Sequence, residues 1–128
     1  MRIPGLRPLI LTATAVLMAL GVLDTGSIVL TRIAVPDQVR EAGYAATEAV
    51  GDQPITRQTA QVAYRAAREQ AATAGNRVHT KDFALLPDGR VHLTAGRNAP
   101  TLLVDRIPQL RHLTDVTASA TVARLPYS

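Results

Sequence analysis

The stretch Val22-Leu23-Asp24-Thr25-Gly26-Ser27 holds the residues of this chain most suggestive of chemistry. Asp-Thr-Gly flanked by aliphatics is the local pattern of an aspartic protease turn, in which two close carboxylates share one proton. A half-sized protease of that kind works as a dimer, each subunit giving one Asp. It needs a strand around the aspartate, a flap hairpin after it, and a later apolar-apolar-glycine segment. Leu93-Thr94-Ala95-Gly96-Arg97-Asn98 is the nearest match to that segment, but Thr94 and Ala95 are not a bulky pair. A long apolar run precedes Asp24 where a strand is needed, and two alanine-rich helical patterns follow it. A membrane-tethered, retropepsin-like protease using Asp24 is therefore the weaker reading. Asp24 is read instead as an acid in a membrane anchor, contacting a partner within the membrane, because intramembrane acids are paired.

The remaining chemistry-bearing residues do not converge. His79, His92 and His112 fall on different expected elements without ligand spacing. There is no Gly-x-Ser-x-Gly elbow and no glycine-rich phosphate loop. The chain has no cysteine, which excludes a disulfide framework and a thiolate metal site. The sequence is thus read as a non-enzyme, with no catalytic residue, no cofactor and no metal. The formal charge is +4, and Lys81 is the only lysine. The arginines are scattered, with no basic run and no interleaved aromatics, so no nucleic-acid partner is expected.

The elements that would position Asp24 begin with the membrane anchor. Arg2 and Arg7 precede an apolar run, and Leu9 to Thr31 is 23 residues. As a helix that run spans about 35 Å, against a hydrocarbon core of about 30 Å. An acid costs roughly 2.5–3.5 kcal/mol at the bilayer centre and less towards either end. Eleven Leu, Ile and Val residues in the run offset this at about −0.3 to −0.6 kcal/mol each. The basic residues before the span place the N-terminus in the cytoplasm and the rest outside. Residues 1–35 are read as the anchor and 36–128 as an extracytoplasmic domain. In the competing reading, residues 1–21 are a signal peptide cleaved after Gly21, releasing a secreted binding protein.

Beyond the anchor, Pro36 either interrupts the first helix or starts its extramembrane continuation. Val39, Gly43, Ala46 and Val50 recur at helical spacing, ended by Gly51-Asp52-Gln53-Pro54. Thr56 reads as the N-cap of a further helix through Ala74, closed by Gly75-Asn76, with Ala60, Ala63, Ala67, Ala71 and Ala74 inward. From Val78 the period becomes two. Pro87-Asp88-Gly89 marks a hairpin turn between Phe83-Leu85 and Val91-Leu93-Ala95. Leu103, Ile107 and Leu110 return to helical spacing, although Pro108 opposes a regular helix. Val116, Ala118, Ala120 and Val122 then alternate as a strand. The expected class is α+β: one N-terminal transmembrane helix continuing into alanine-rich helices, then a small antiparallel sheet. A thin, alanine-rich core in a domain this small points to a partner or to self-association.

Taken in order, three stretches resemble the TadE/TadG-like proteins, minor pilin-like components of tight-adherence pilus systems. They are Gly21 to Gly26 followed by Arg32; the helix with Ala42, Ala45, Ala46 and Ala49; and "VHLTAGRNAPTLLVDRI" followed by "VTASATVARLP". The resemblance implies a pseudopilin-like, single-pass cell-envelope protein that takes part in pilus or secretion-system assembly, with other subunits of that apparatus as partners. One departure stands out. Prepilin-type processing after Gly5 needs a glutamate five residues on, and that position is Ile10.

Overall fold

The computed structural model describes residues 6–102 and 104–125. Arg2, Gly5, Leu103 and Pro126, used above, lie outside the described residues. The first element is one helix, α1, Leu6–Val50, 45 residues long. At 1.5 Å per residue it extends about 68 Å. The alternative of an interruption at Pro36 does not hold, because the helix runs straight through it. A proline inside a helix costs about 3 kcal/mol, since it has no N–H and its ring crowds the carbonyl four residues back. Val35 and Val39, on either side of Pro36, are fully buried in the core, and packing of that size outweighs the local cost.

Helix α1 ends at Gly51, whose φ of 57° is the left-handed conformation that glycine adopts without strain. A short connection turns the chain back into α2, Arg57–Thr73. Thr56 and Thr59 form a reciprocal cap at its start, each side chain bonded to the other's backbone N–H. Its end is a Schellman turn: Asn76 N–H donates to Ala71 O at 2.9 Å and Gly75 N–H to Ala72 O at 3.0 Å. The buried side chains of α2 are Thr59, Ala63, Ala67 and Ala71. Against them α1 sets Ala42 and Ala46, so two small faces meet and the helix axes come close. Asn76 Nδ2 donates to Gln38 Oε1 at 2.9 Å, joining the end of α2 to the middle of α1. The two helices therefore run antiparallel.

The sheet follows. Strand β1 is Arg77–Val78, β2 is Ala84–Leu85, β3 is Val91–Asn98 and β4 is Asp115–Val122. All pairings are antiparallel to β3. β4 covers one edge of β3 from Val91↔Val122 to Asn98↔Asp115, and β1 and β2 share the other edge. The 3₁₀ turn Thr80–Asp82 separates β1 from β2. One sheet face, carrying Val91, Leu93, Ala95, Val116 and Val122, is buried under the helices. The other face is a polar ladder, with His92 Nδ1 to Thr121 Oγ1 at 2.8 Å and Thr94 Oγ1 to Ser119 Oγ at 2.6 Å. This is the usual asymmetry of a two-layer α+β fold. Tyr64 and Phe83 close the far side edge-to-face, with ring centroids 5.3 Å apart. The expected class and element order hold. The segment expected at helical spacing resolves into 3₁₀ turns at Val104–Arg106 and Pro108–Thr114.

Two consequences can be tested. A Cβ on Gly96 would meet Val116 O at 2.1 Å and Thr117 Cα at 2.8 Å, both backbone atoms of the paired strand. Gly96→Ala is expected to destabilise the domain by about 3 kcal/mol, towards the upper range of overpacking. Gly43→Ala meets only the side chains of Val122 and Leu93 and should cost less; denaturant unfolding of the solubilised chain compares them. In the hairpin turn, Asp88 accepts from the backbone N–H of Arg90 at 3.1 Å and from its Nε at 2.6 Å. Those bonds, the backbone one first, hold the carboxyl below the usual carboxylate range. A lowered folded value means the turn's contribution is complete above the unfolded pKa and disappears as pH falls through the folded one. A carbon-13 titration should place the Asp88 midpoint below that of an unstructured aspartate, and Arg90→Ala should raise it.

Candidate functional site

The site is built on one stripe of α1. Asp24, Thr31, Val35, Val39, Ala42, Ala46 and Val50 are its buried residues at three- and four-residue steps, with Ser27 half-buried in the same line. From Val35 upward the stripe is apolar and faces α2 and the sheet. Below Val35 it is polar, and what covers it is a loop from the far end of the chain. Strands β3 and β4 are joined by residues 99–114, whose base is closed by Ala99 N–H donating to Thr114 O at 2.6 Å. The segment beginning at Pro100 reaches α1 below the sheet.

There Asp24, only 1% exposed, meets it with both carboxylate oxygens. Leu102 N–H donates to Oδ1 at 2.6 Å and Val104 N–H to Oδ2 at 2.7 Å. One turn along, Ser27 Oγ donates to Pro100 O at 2.5 Å. The acid takes backbone donors and the hydroxyl takes a backbone acceptor, so the pair matches an irregular segment whose amides have no strand partner. Thr31 completes the polar stretch by donating its hydroxyl to Ser27 O at 2.8 Å. A buried carboxylate is stable only when hydrogen-bonded in this way, because its desolvation is otherwise uncompensated.

Asp24, singled out from sequence for a contact with a partner within the membrane, accepts hydrogen bonds from its own chain 78 and 80 residues away. The Asp-Thr-Gly triplet lies inside a regular helix rather than in a turn, and Thr25 Oγ1 donates back to Gly21 O at 2.8 Å. His79 lies between β1 and the Thr80–Asp82 turn, His92 on β3 and His112 in the Pro108–Thr114 turn, and no group of metal-binding residues is found among the described residues. Ser27 and the amides of Leu102 and Val104 were not identified by sequence reasoning. The available signal was the i, i+3 spacing of Asp24 and Ser27; backbone amides leave no trace in residue type. Elsewhere, Arg97 Nη1 donates to Ala74 O, capping the end of α2. A depression of about 310 Å³ beside it is lined by charges of both signs, Arg77 and Asp115 among them.

Compared with known protein families, characterised proteins and solved structures, the chain matches none. Its site is therefore read from its geometry alone. Hydrogen bonds to a charged group are worth about 1.5–3 kcal/mol each, so Asp24→Ala should loosen the loop locally. Amide hydrogen exchange at Leu102 and Val104 is expected to rise about tenfold or more. Ser27→Ala should produce a smaller increase, and amides of β3 should be unchanged by either substitution.

Proposed function

We propose that the protein is a non-catalytic, single-pass envelope protein, anchored by α1 with its N-terminus in the cytoplasm and its α+β domain outside. Its role is to assemble or anchor a Tad-type pilus or secretion apparatus, acting through packing rather than chemistry. The observation that carries the membrane reading is the lower half of α1. Leu9, Leu11, Leu17, Met18, Val22 and Leu23 are all exposed, and the helix is long and apolar enough to cross a bilayer. Hydroxyls in this stretch turn back onto the helix: Thr14 Oγ1 donates to Ile10 O and Thr25 Oγ1 to Gly21 O, both at 2.8 Å. Polar groups satisfied within the helix are what a hydrocarbon environment requires. Arg2 and Arg7 ahead of the span favour the cytoplasmic N-terminus.

The pilus role is supported by the order of the three sequence stretches described above and by one structural circumstance. The helix that crosses the bilayer is also the spine of the outer domain, so subunits associating through their spans would bring their domains together in a fixed orientation. Intact mass of the native protein and alkaline carbonate extraction test the anchor. A full-length chain retained with membranes is expected, and cross-linking in native membranes should then recover pilus or secretion-system subunits. A chain beginning at Val22 and found in the medium would replace this reading with a secreted binding protein. Retention without any such subunit in the cross-links would remove the pilus role and leave the anchor.

A further inference from the structure

We propose that the loop residues Pro100, Leu102 and Val104 enter the outer leaflet of the bilayer beside α1, with Leu102 among the acyl chains, and that the Asp24–Ser27 clasp makes this entry possible. The inference rests on α1 being a membrane span. Its first support is length. Counted from Leu9, just past Arg7, a helix reaches Leu23 after about 22 Å and Leu30 after about 33 Å. The hydrocarbon core is about 30 Å thick. A bilayer ending below the clasp leaves the span about 8 Å short, whereas one ending near Leu30 fits it. Asp24 then lies about 9 Å below Leu30, and the loop it holds lies at that depth with it.

The second support is the surface around the clasp. No charged residue occurs between Asp24 and Arg32. Leu30 is 68% exposed, Ile33 66% and Leu102 56%. Leu23, Gly26, Leu30, Ile33 and Pro100, together with Ser27, Thr31 and Arg97, line an open groove of about 910 Å³, and its aliphatic residues continue into the exposed aliphatic surface of the lower helix. Lipid is the occupant that this continuity selects, since the aliphatic side of the groove and the span are continuous, and Arg97 gives the groove a cation that suits a phospholipid headgroup.

The third support is hydrogen bonding. Irregular backbone is tolerated at membrane depth only where protein satisfies its polar groups. Asp24 accepts the amides of Leu102 and Val104, and Ser27 donates to the carbonyl of Pro100. In turn, the loop provides the acid with the donors that lipid cannot. Each makes the other's position tenable.

The test uses the full chain in phosphatidylcholine vesicles, with a polarity-sensitive fluorophore on single cysteines and quenching by acyl-brominated lipid. The chain has no cysteine of its own, so Leu17→Cys, Leu102→Cys and Asp88→Cys each report one place. Quenching at positions 17 and 102 but not at 88 is the expected result. Adding Asp24→Ala should abolish quenching at 102 and leave it intact at 17, while Asp24→Asn, which keeps one acceptor oxygen, should retain part of it. Circular dichroism checks that the helices persist in both variants. Quenching at 17 without quenching at 102 overturns the inference and leaves the span standing, and a second copy of the chain covering the groove would give that same result. Quenching at neither position overturns the span and the inference together. Quenching at 102 that survives Asp24→Ala removes the clasp as its cause and so overturns the proposal as stated.

Discussion

Helix α1 presents one buried stripe from Asp24 to Val50, and α2, β3, β4 and the loop between those strands are laid against it. A stripe of that length cannot be covered by a single partner. Its upper part is filled by valine and alanine and takes α2 and one face of the sheet. Its lower part carries an acid and two hydroxyls and takes backbone. The change at Val35 decides which portion of the chain packs where, because an apolar surface buries apolar side chains and a carboxylate demands donors.

The connection between β3 and β4 follows from this division. A hairpin between two eight-residue strands needs only a few linking residues. Here the link is long, pinched at its base by Ala99 and Thr114, and its early part is held against α1. Its 3₁₀ turns make few regular backbone pairings, so the side chains of Asp24 and Ser27 serve as its hydrogen-bonding template. The loop is ordered by a helix rather than by a sheet.

The core above the clasp is thin by residue size. Ala42, Ala46, Ala63, Ala67 and Ala71 bury little area each, and among the described residues Leu93, Val35, Val39 and Val91 are the largest fully buried apolar side chains. Close approach compensates in part: Gly43 sits against Val122, and Gly96 lies on the backbone of β4. Such packing is intolerant of added volume. Caps and turns contribute the rest, from the reciprocal Thr56–Thr59 bonds to the Schellman turn at Gly75.

Local features of this fold were legible in the sequence because local rules govern them. The N-cap Thr56, the stop at Gly75-Asn76, the Pro87-Asp88-Gly89 turn and the alternating strand from Val116 to Val122 each depend on residues a few positions apart. The apolar run from Leu9 likewise announces a helix long enough to cross a bilayer. Pro36 shows where local rules stop: its cost is set by its neighbours, but Val35 and Val39 override it through contacts with the sheet and α2. Asp24 goes further. By itself the sequence established an acid in an apolar helix, for which a partner is expected. Only the tertiary structure decided that the partner is the backbone of a loop 78 residues on, because an amide donor is common to every residue but proline and no residue type records it.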